Sequence, residues 1–161
     1  MRLMDNTPTP LLTEEMIDQA LLLDHQLCFA MYSASLAMTK AYKKLLAPLE
    51  ITYPQYLVMM VLWEQDQVTV SELGGRLFLD SGTLTPLLKR MEAMGLLQRT
   101  RDAGDERRVL VSLTLAGRAL REKARGVPMQ MSCMLPSLDQ VKNLVVELKQ
   151  VRKGLQDAEE T

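Results

Sequence analysis

The sequence predicts a mainly α-helical fold with one small β-ribbon: a winged helix-turn-helix, with N- and C-terminal helices that form a dimerisation domain. Three observations predict it. Apolar residues recur at 3.6-residue spacing through most of the chain, as amphipathic helices require. Two short apolar stretches, Leu96–Arg99 and Val109–Leu113, flank a polar tip, TRDAGDERR, as in a hairpin. Just before them, two short helical stretches meet at a polar turn, Asp80–Ser81.

Residues 1–12 are polar and contain proline, and read as a flexible N-terminal arm. Thr13 with Glu15 and Met16 can open a short helix. A helical segment then runs from Asp24 to Leu46, with Leu27, Met31, Ala34 and Met38 on one stripe, and Pro48 ends it. Thr52 and Pro54 start the next helix, Pro54 in the first turn where its missing N–H costs nothing. That helix is apolar nearly all round and belongs at the centre of the core. Thr69 or Ser71 caps the following one, with Leu73 and Leu77 on its buried side.

Asp80 and Ser81 then cap a helix, DSGTLTPLLKRMEAMG. Its Leu84, Leu87, Leu88, Met91 and Met94 form one face; Gly82, Thr85, Pro86 and Lys89, flanked by Thr83 and Arg90, form the other. Pro86 is awkward in a helix interior, where it distorts the turn before it. Gly95 stops the helix. After the ribbon and Thr114, LAGRALREKARG resumes helix. A last amphipathic helix runs from Ser137 to Leu155, with Val141, Leu144, Val145, Leu148 and Val151 on one side, and the acidic QDAEET end frays. The organisation expected is an arm at 1–12, dimerisation and sensor helices at 13–50, a winged helix-turn-helix at 51–117 and C-terminal dimerisation helices at 118–161.

Composition narrows the function classes. Of 161 residues, 47% are hydrophobic and 24% charged, an ordinary globular balance. No apolar run is long enough to predict a membrane span, and the N-terminus lacks the basic and apolar stretches of a signal peptide. A cytoplasmic location is expected, where thiols are kept reduced. Two cysteines without a CxxC pattern, and a single His25, argue against a metal site or a thioredoxin motif. No cofactor is expected.

The net charge is −1, but its distribution is uneven. Between Pro86 and Arg125 there are ten Lys/Arg and five Asp/Glu; the rest of the chain has nine against fifteen. A basic block in an acidic chain is the footprint of an element that faces DNA. The face bearing Ser81, Thr83, Thr85, Lys89 and Arg90 has hydroxyls and cations but little apolar bulk, which suits base edges and phosphates in a major groove. Arg107 at the hairpin tip can enter the minor groove, with Asp105 holding it. Apolar stripes at both chain ends exceed what one small domain can bury. They predict a homodimer that places two reading helices on a palindromic DNA operator, about one turn apart.

The string LDSGTLTPLLKRMEAMGLLQRTRDAGDERRVLVSLTLAG resembles the recognition helix, wing and re-entry helix of the MarR family. Within it, DHQLCFAMYSASLAMTKAYKKLLAPLEITYPQYLVMMVLWE is similar to the organic hydroperoxide regulators, the OhrR type, and the similarity spans about Asp24 to Leu155. It implies a reactive thiol at Cys28, two tyrosines from the partner subunit, Tyr42 and Tyr53, that stabilise its thiolate, and a second, resolving cysteine at Cys133. The wing pair Asp105 and Arg107 matches the family's Asp-x-Arg. The implied activity is a repressor, not an enzyme, that leaves DNA when organic hydroperoxides oxidise Cys28 through sulfenic acid to an intersubunit disulfide.

The chemistry suits those residues. Only the thiolate attacks a peroxide, and an unperturbed thiol is only a few per cent ionised at neutral pH. Phenol donors aimed at the sulfur favour the charged form. Apolar neighbours such as Leu27, Phe29 and Met31 favour a lipid-like or aryl peroxide. Two other readings stay open: a MarR-like repressor released by a non-covalent phenolic ligand, in which Cys28 is incidental, and a thiol peroxidase.

Overall fold

The computed structural model describes residues 13–159, so the 1–12 arm lies outside the described residues. The chain divides into two compact units, residues 1–40 and 41–161. In the first, Thr13 caps α1, Glu14–Ala20, its side chain accepting the Met16 N–H. A 3₁₀ turn, Leu23–His25, precedes α2, Leu27–Leu46, which continues past the division. Leu27, Met31 and Met38 on the expected stripe are exposed.

The second unit holds the core. The 3₁₀ turn Ala47–Leu49 contains Pro48 and follows α2, as its helix-ending role requires. Thr52 caps α3, Tyr53–Glu64, in a reciprocal capping box with Gln55, and Tyr56, Val58, Met59, Val61 and Leu62 are buried. Thr69 caps α4, Val70–Leu77, through a second capping box with Glu72. Asp80 caps α5, Ser81–Ala93. Leu84, Leu87, Leu88 and Met91 are buried as the periodicity requires, but Met94 is not. It is the C-terminal cap of the helix, and its sulfur accepts a hydrogen bond from the Gln55 amide at 3.6 Å.

Gly95, at φ 71°, ends α5 in a Schellman turn: its N–H reaches the Glu92 carbonyl at 2.9 Å and the Leu96 N–H the Met91 carbonyl at 3.1 Å. The ribbon comprises β2, Leu97–Arg101, and β3, Val109–Leu113, in antiparallel register from Leu97 opposite Leu113 to Arg101 opposite Val109. Thr100 and Arg101, expected in the tip, thus extend the strand. A two-residue strand β1, Val68–Thr69, pairs with β3 and makes a three-stranded sheet of order β1-β3-β2. It is too short to show a period of its own, so the sequence does not announce it.

Thr114 caps α6, Leu115–Ala124. A short helix not foreseen, α7, Gly126–Ser132, follows, with Val127 and Met131 buried; Pro128 stands in its first turn and does not break it. The last helix, α8, runs Leu138–Glu159 with no buried residue, so the described part of the QDAEET end is helical rather than frayed.

Candidate nucleic-acid interface and redox residues

The reading head is built from caps inward. The Asp80 carboxylate accepts the Thr83 N–H at 2.8 Å and the Thr83 hydroxyl at 3.2 Å. These bonds hold the Asp80 carboxyl below its ordinary value. The Thr83 hydroxyl is therefore engaged at the cap. Outside the buried face of α5, Ser81, Thr83, Lys89 and Arg90 are exposed and Thr85 is half-buried, so none of the five expected residues belongs to the core. Neither Lys89 nor Arg90 is in an ion pair among the described residues. Both cations remain available to an anion.

A clamp ties α5 to the wing. Glu92 accepts the Arg99 backbone N–H at 2.9 Å on one oxygen, and the Arg99 guanidinium at 3.1 and 2.8 Å on the other. The guanidinium bonds, and then the backbone N–H, hold the Glu92 carboxyl below the usual carboxylate range. Sequence reasoning missed this pair, although opposite charges either side of the helix-ending Gly95 are a signal for it. A second latch also went unseen. Asp66 accepts the Leu113 N–H at 2.9 Å and pairs with Arg118, while the Trp63 indole N–H donates to the Gly117 carbonyl at 3.0 Å. Together they fix the base of the ribbon to α3 and α6.

At the wing tip Asp105 meets Arg107 through the backbone. Its carboxylate accepts the backbone N–H of Arg107 at 3.0 Å, so it shapes the turn rather than gripping the guanidinium. The Arg108 N–H also returns to the Asp105 carbonyl at 2.9 Å. In so tight a turn the backbone amides lie nearer the aspartate than the end of a long side chain does. Arg107 is exposed, and with Arg99 and Arg108 it faces a groove of about 500 Å³ between α4, α5 and the ribbon, which Ser71, Glu72 and Thr85 also line.

The residues expected to carry redox chemistry stand on separate elements. Cys28 is the second residue of α2 and is exposed, in the first unit. Tyr42 and Tyr53 belong to the second unit, where their rings stack with centroids 4.3 Å apart; Tyr56 adjoins Tyr42 at 6.0 Å. Burial raises the pKa of all three phenols, and their mutual proximity adds to this for Tyr42 and Tyr56. They therefore stay protonated hydrogen-bond donors at neutral pH. Cys133 is exposed at the C-terminal cap of α7, and both thiols are free. No group of three or more His, Cys, Asp or Glu able to hold a metal ion occurs among the described residues.

The transcriptional regulator SarA/Rot family model matches residues 37–124, which hold the entire reading head and wing. The chain is 57% identical over 106 residues to the organic hydroperoxide resistance transcriptional regulator of Bacillus subtilis, covering 66% of this chain and 72% of that one. The chain belongs to the SarA/Rot and MarR-type transcriptional regulators, close to the organic hydroperoxide regulators. A second relative of this regulator, the HTH-type transcriptional regulator TtmR of Methylorubrum extorquens, is 52% identical over 134 residues, covering 83% of this chain and 69% of that one. Among solved structures, reduced AbfR bound to DNA matches with TM-score 0.76 and 38% identity, covering 88% of this chain and 99% of that one. AbfR of Staphylococcus epidermidis is also solved overoxidised on DNA and in a disulfide-formed state. These relatives are named as regulators, and the regulator described here is a winged-helix DNA-binding protein, not an enzyme. No single helix among the described residues is long and apolar enough to cross a membrane.

Proposed function

We propose that this regulator is a dimeric repressor that leaves a palindromic operator when an organic hydroperoxide oxidises Cys28. The observation that carries the reading is an exposed thiol at the start of α2 in a chain 57% identical to an organic hydroperoxide regulator. The Cys28 thiolate attacks the peroxide O–O bond and becomes sulfenic acid, and the alkoxide leaves, takes a proton and departs as the alcohol. Tyr42 and Tyr53 of the partner subunit, whose burial raises their pKa, are the donors that stabilise the thiolate. The Cys133 thiol of the partner subunit then displaces water from the sulfenic acid and closes an intersubunit disulfide. The disulfide-formed state of AbfR, 36% identical, supports this step.

DNA is read by Ser81, Thr83, Thr85, Lys89 and Arg90 in the major groove and by Arg107 in the minor groove, with Asp105 shaping the wing turn. The dimer is supported by apolar surface that one chain leaves open. In α8, Leu144, Val145 and Leu155 are exposed, and so are Leu21, Leu22, Leu23 and Leu27 near the other end.

Operator binding, followed by mobility shift with and without cumene hydroperoxide, tests the proposal. Wild type releases DNA on treatment, and Cys28→Ser binds DNA but ignores the peroxide. A Cys28→Ser protein that still releases its operator refutes the sensor, and unchanged operator affinity of the Lys89→Ala/Thr85→Ala double variant refutes the reading face.

A further inference from the structure

We infer that Phe78 and Arg152 are positioning residues: the pair fixes α8 against the turn that starts the recognition helix, and so sets the half-site spacing that the dimer accepts. The inference rests on the dimeric DNA-reading proposal above. Phe78 closes α4 in the left-handed region, at φ 55°, ψ 38°. Glycine is the natural residue there, because a bulky side chain at positive φ is strained. The turn itself does not need the ring, since the backbone N–H groups of Phe78 and Leu79 close it on the Gly74 carbonyl. Nor does the core need it, because Phe78 is 56% exposed.

What the ring meets is a cation from the far end of the chain. The Arg152 guanidinium carbon lies 4.1 Å from the ring centroid, a cation–π contact. Arg152 is fourteen residues into α8, which begins at Leu138, so it sits about 21 Å along that helix. No residue of α8 is fully buried, and Val141, Leu148 and Val151 on its apolar stripe are half-buried. Two residues beyond Phe78, Asp80 caps the recognition helix. The contact thus joins a long helix to the turn that leads into α5. A 10° swing of a lever about 21 Å long moves its end by about 4 Å, close to one base-pair step. A dimer whose α8 helices lie at its base would transmit such a swing directly to the separation of its two reading helices.

The test uses the inverted-repeat duplex that the wild-type dimer selects from a random-sequence pool, versions with the spacer changed by one base pair either way, and a single half-site. Wild type should strongly prefer the selected spacing. Arg152→Ala and Phe78→Gly should bind that spacing about two- to fivefold more weakly, as loss of an exposed cation–π pair implies. They should discriminate less against the altered spacers and bind the half-site as wild type does. Arg152→Lys, which keeps the cation, should largely restore the preference. Phe78→Gly also relieves the left-handed strain, so its thermal stability should hold or rise while spacing preference falls, an outcome that a merely structural ring could not produce. Wild-type discrimination in both variants overturns the inference, and so does an equal loss on the half-site. A wild type that binds the half-site as tightly as the inverted repeat instead overturns the dimeric reading beneath it.

Discussion

A methyl group added at Gly117 would run into the backbone carbonyl oxygen of Leu96, which cannot yield as a side chain can. This close approach brings α6 against the end of β2, next to the Trp63 indole bond. Gly117→Ala should cost about 1–3 kcal/mol, as overpacking does, and lower the urea midpoint accordingly. Asp80 acts through charge. Its carboxyl is held below the usual range in the folded chain, so it binds its proton more readily when unfolded. Its stabilising share is therefore whole above about pH 4 and is lost as pH falls through the lowered folded value. Asp80→Ser keeps a capping oxygen but no titrating charge. Thermal melts of that variant should fall less steeply with acid than those of wild type; Glu72 and Glu92, lowered likewise, supply the remaining slope.

At the scale of elements, α5 and the ribbon work as one body because Glu92 holds both the backbone and the guanidinium of Arg99. Glu92→Gln leaves one acceptor oxygen where two served. Faster amide exchange along β2 should follow, with a several-fold weaker operator complex and reduced minor-groove protection beneath the wing while major-groove protection persists. Equal loss at both grooves would mean that the clamp only stabilises the fold. Within α5 itself, Pro86 is the sixth residue of a continuous helix. It takes away the N–H that the Gly82 carbonyl would have used, on the side that bears Lys89.

For the whole molecule, the two thiols make separable demands. Cys133→Ser should still form sulfenic acid at Cys28, detected by mass spectrometry, but should show no peroxide-dependent dimer band on non-reducing electrophoresis and should overoxidise more readily. If wild type loses its operator yet also runs as a monomer on that gel, the disulfide step is wrong and the sulfenic acid itself is the signal. The exposed apolar faces of α2 and α8 give the same scale a second observable. A dimer that covers them should unfold with a midpoint that rises with protein concentration.

Much of this was written locally. Thr13, Thr52, Thr69, Asp80 and Thr114 each cap the helix that follows, and Gly95 ends α5 at positive φ. Such signals are legible because a cap or a left-handed stop depends on neighbours three or four residues away. The buried face of α5 was legible for the same reason, up to Met94, whose fate depends on where the chain goes next. Cys28, Tyr42 and Tyr53 were read from a resemblance, not from spacing, and the Asp105-x-Arg107 wing from its place at the hairpin tip together with that resemblance. Tertiary structure alone decided the rest: that two residues at Val68–Thr69 form a third strand, that Asp66 reaches Leu113 and Arg118, and that Arg152 covers Phe78. Such partners lie tens of residues apart in the chain. A surface charge can pair with any of several opposite charges, and only the folded backbone brings one of them within reach.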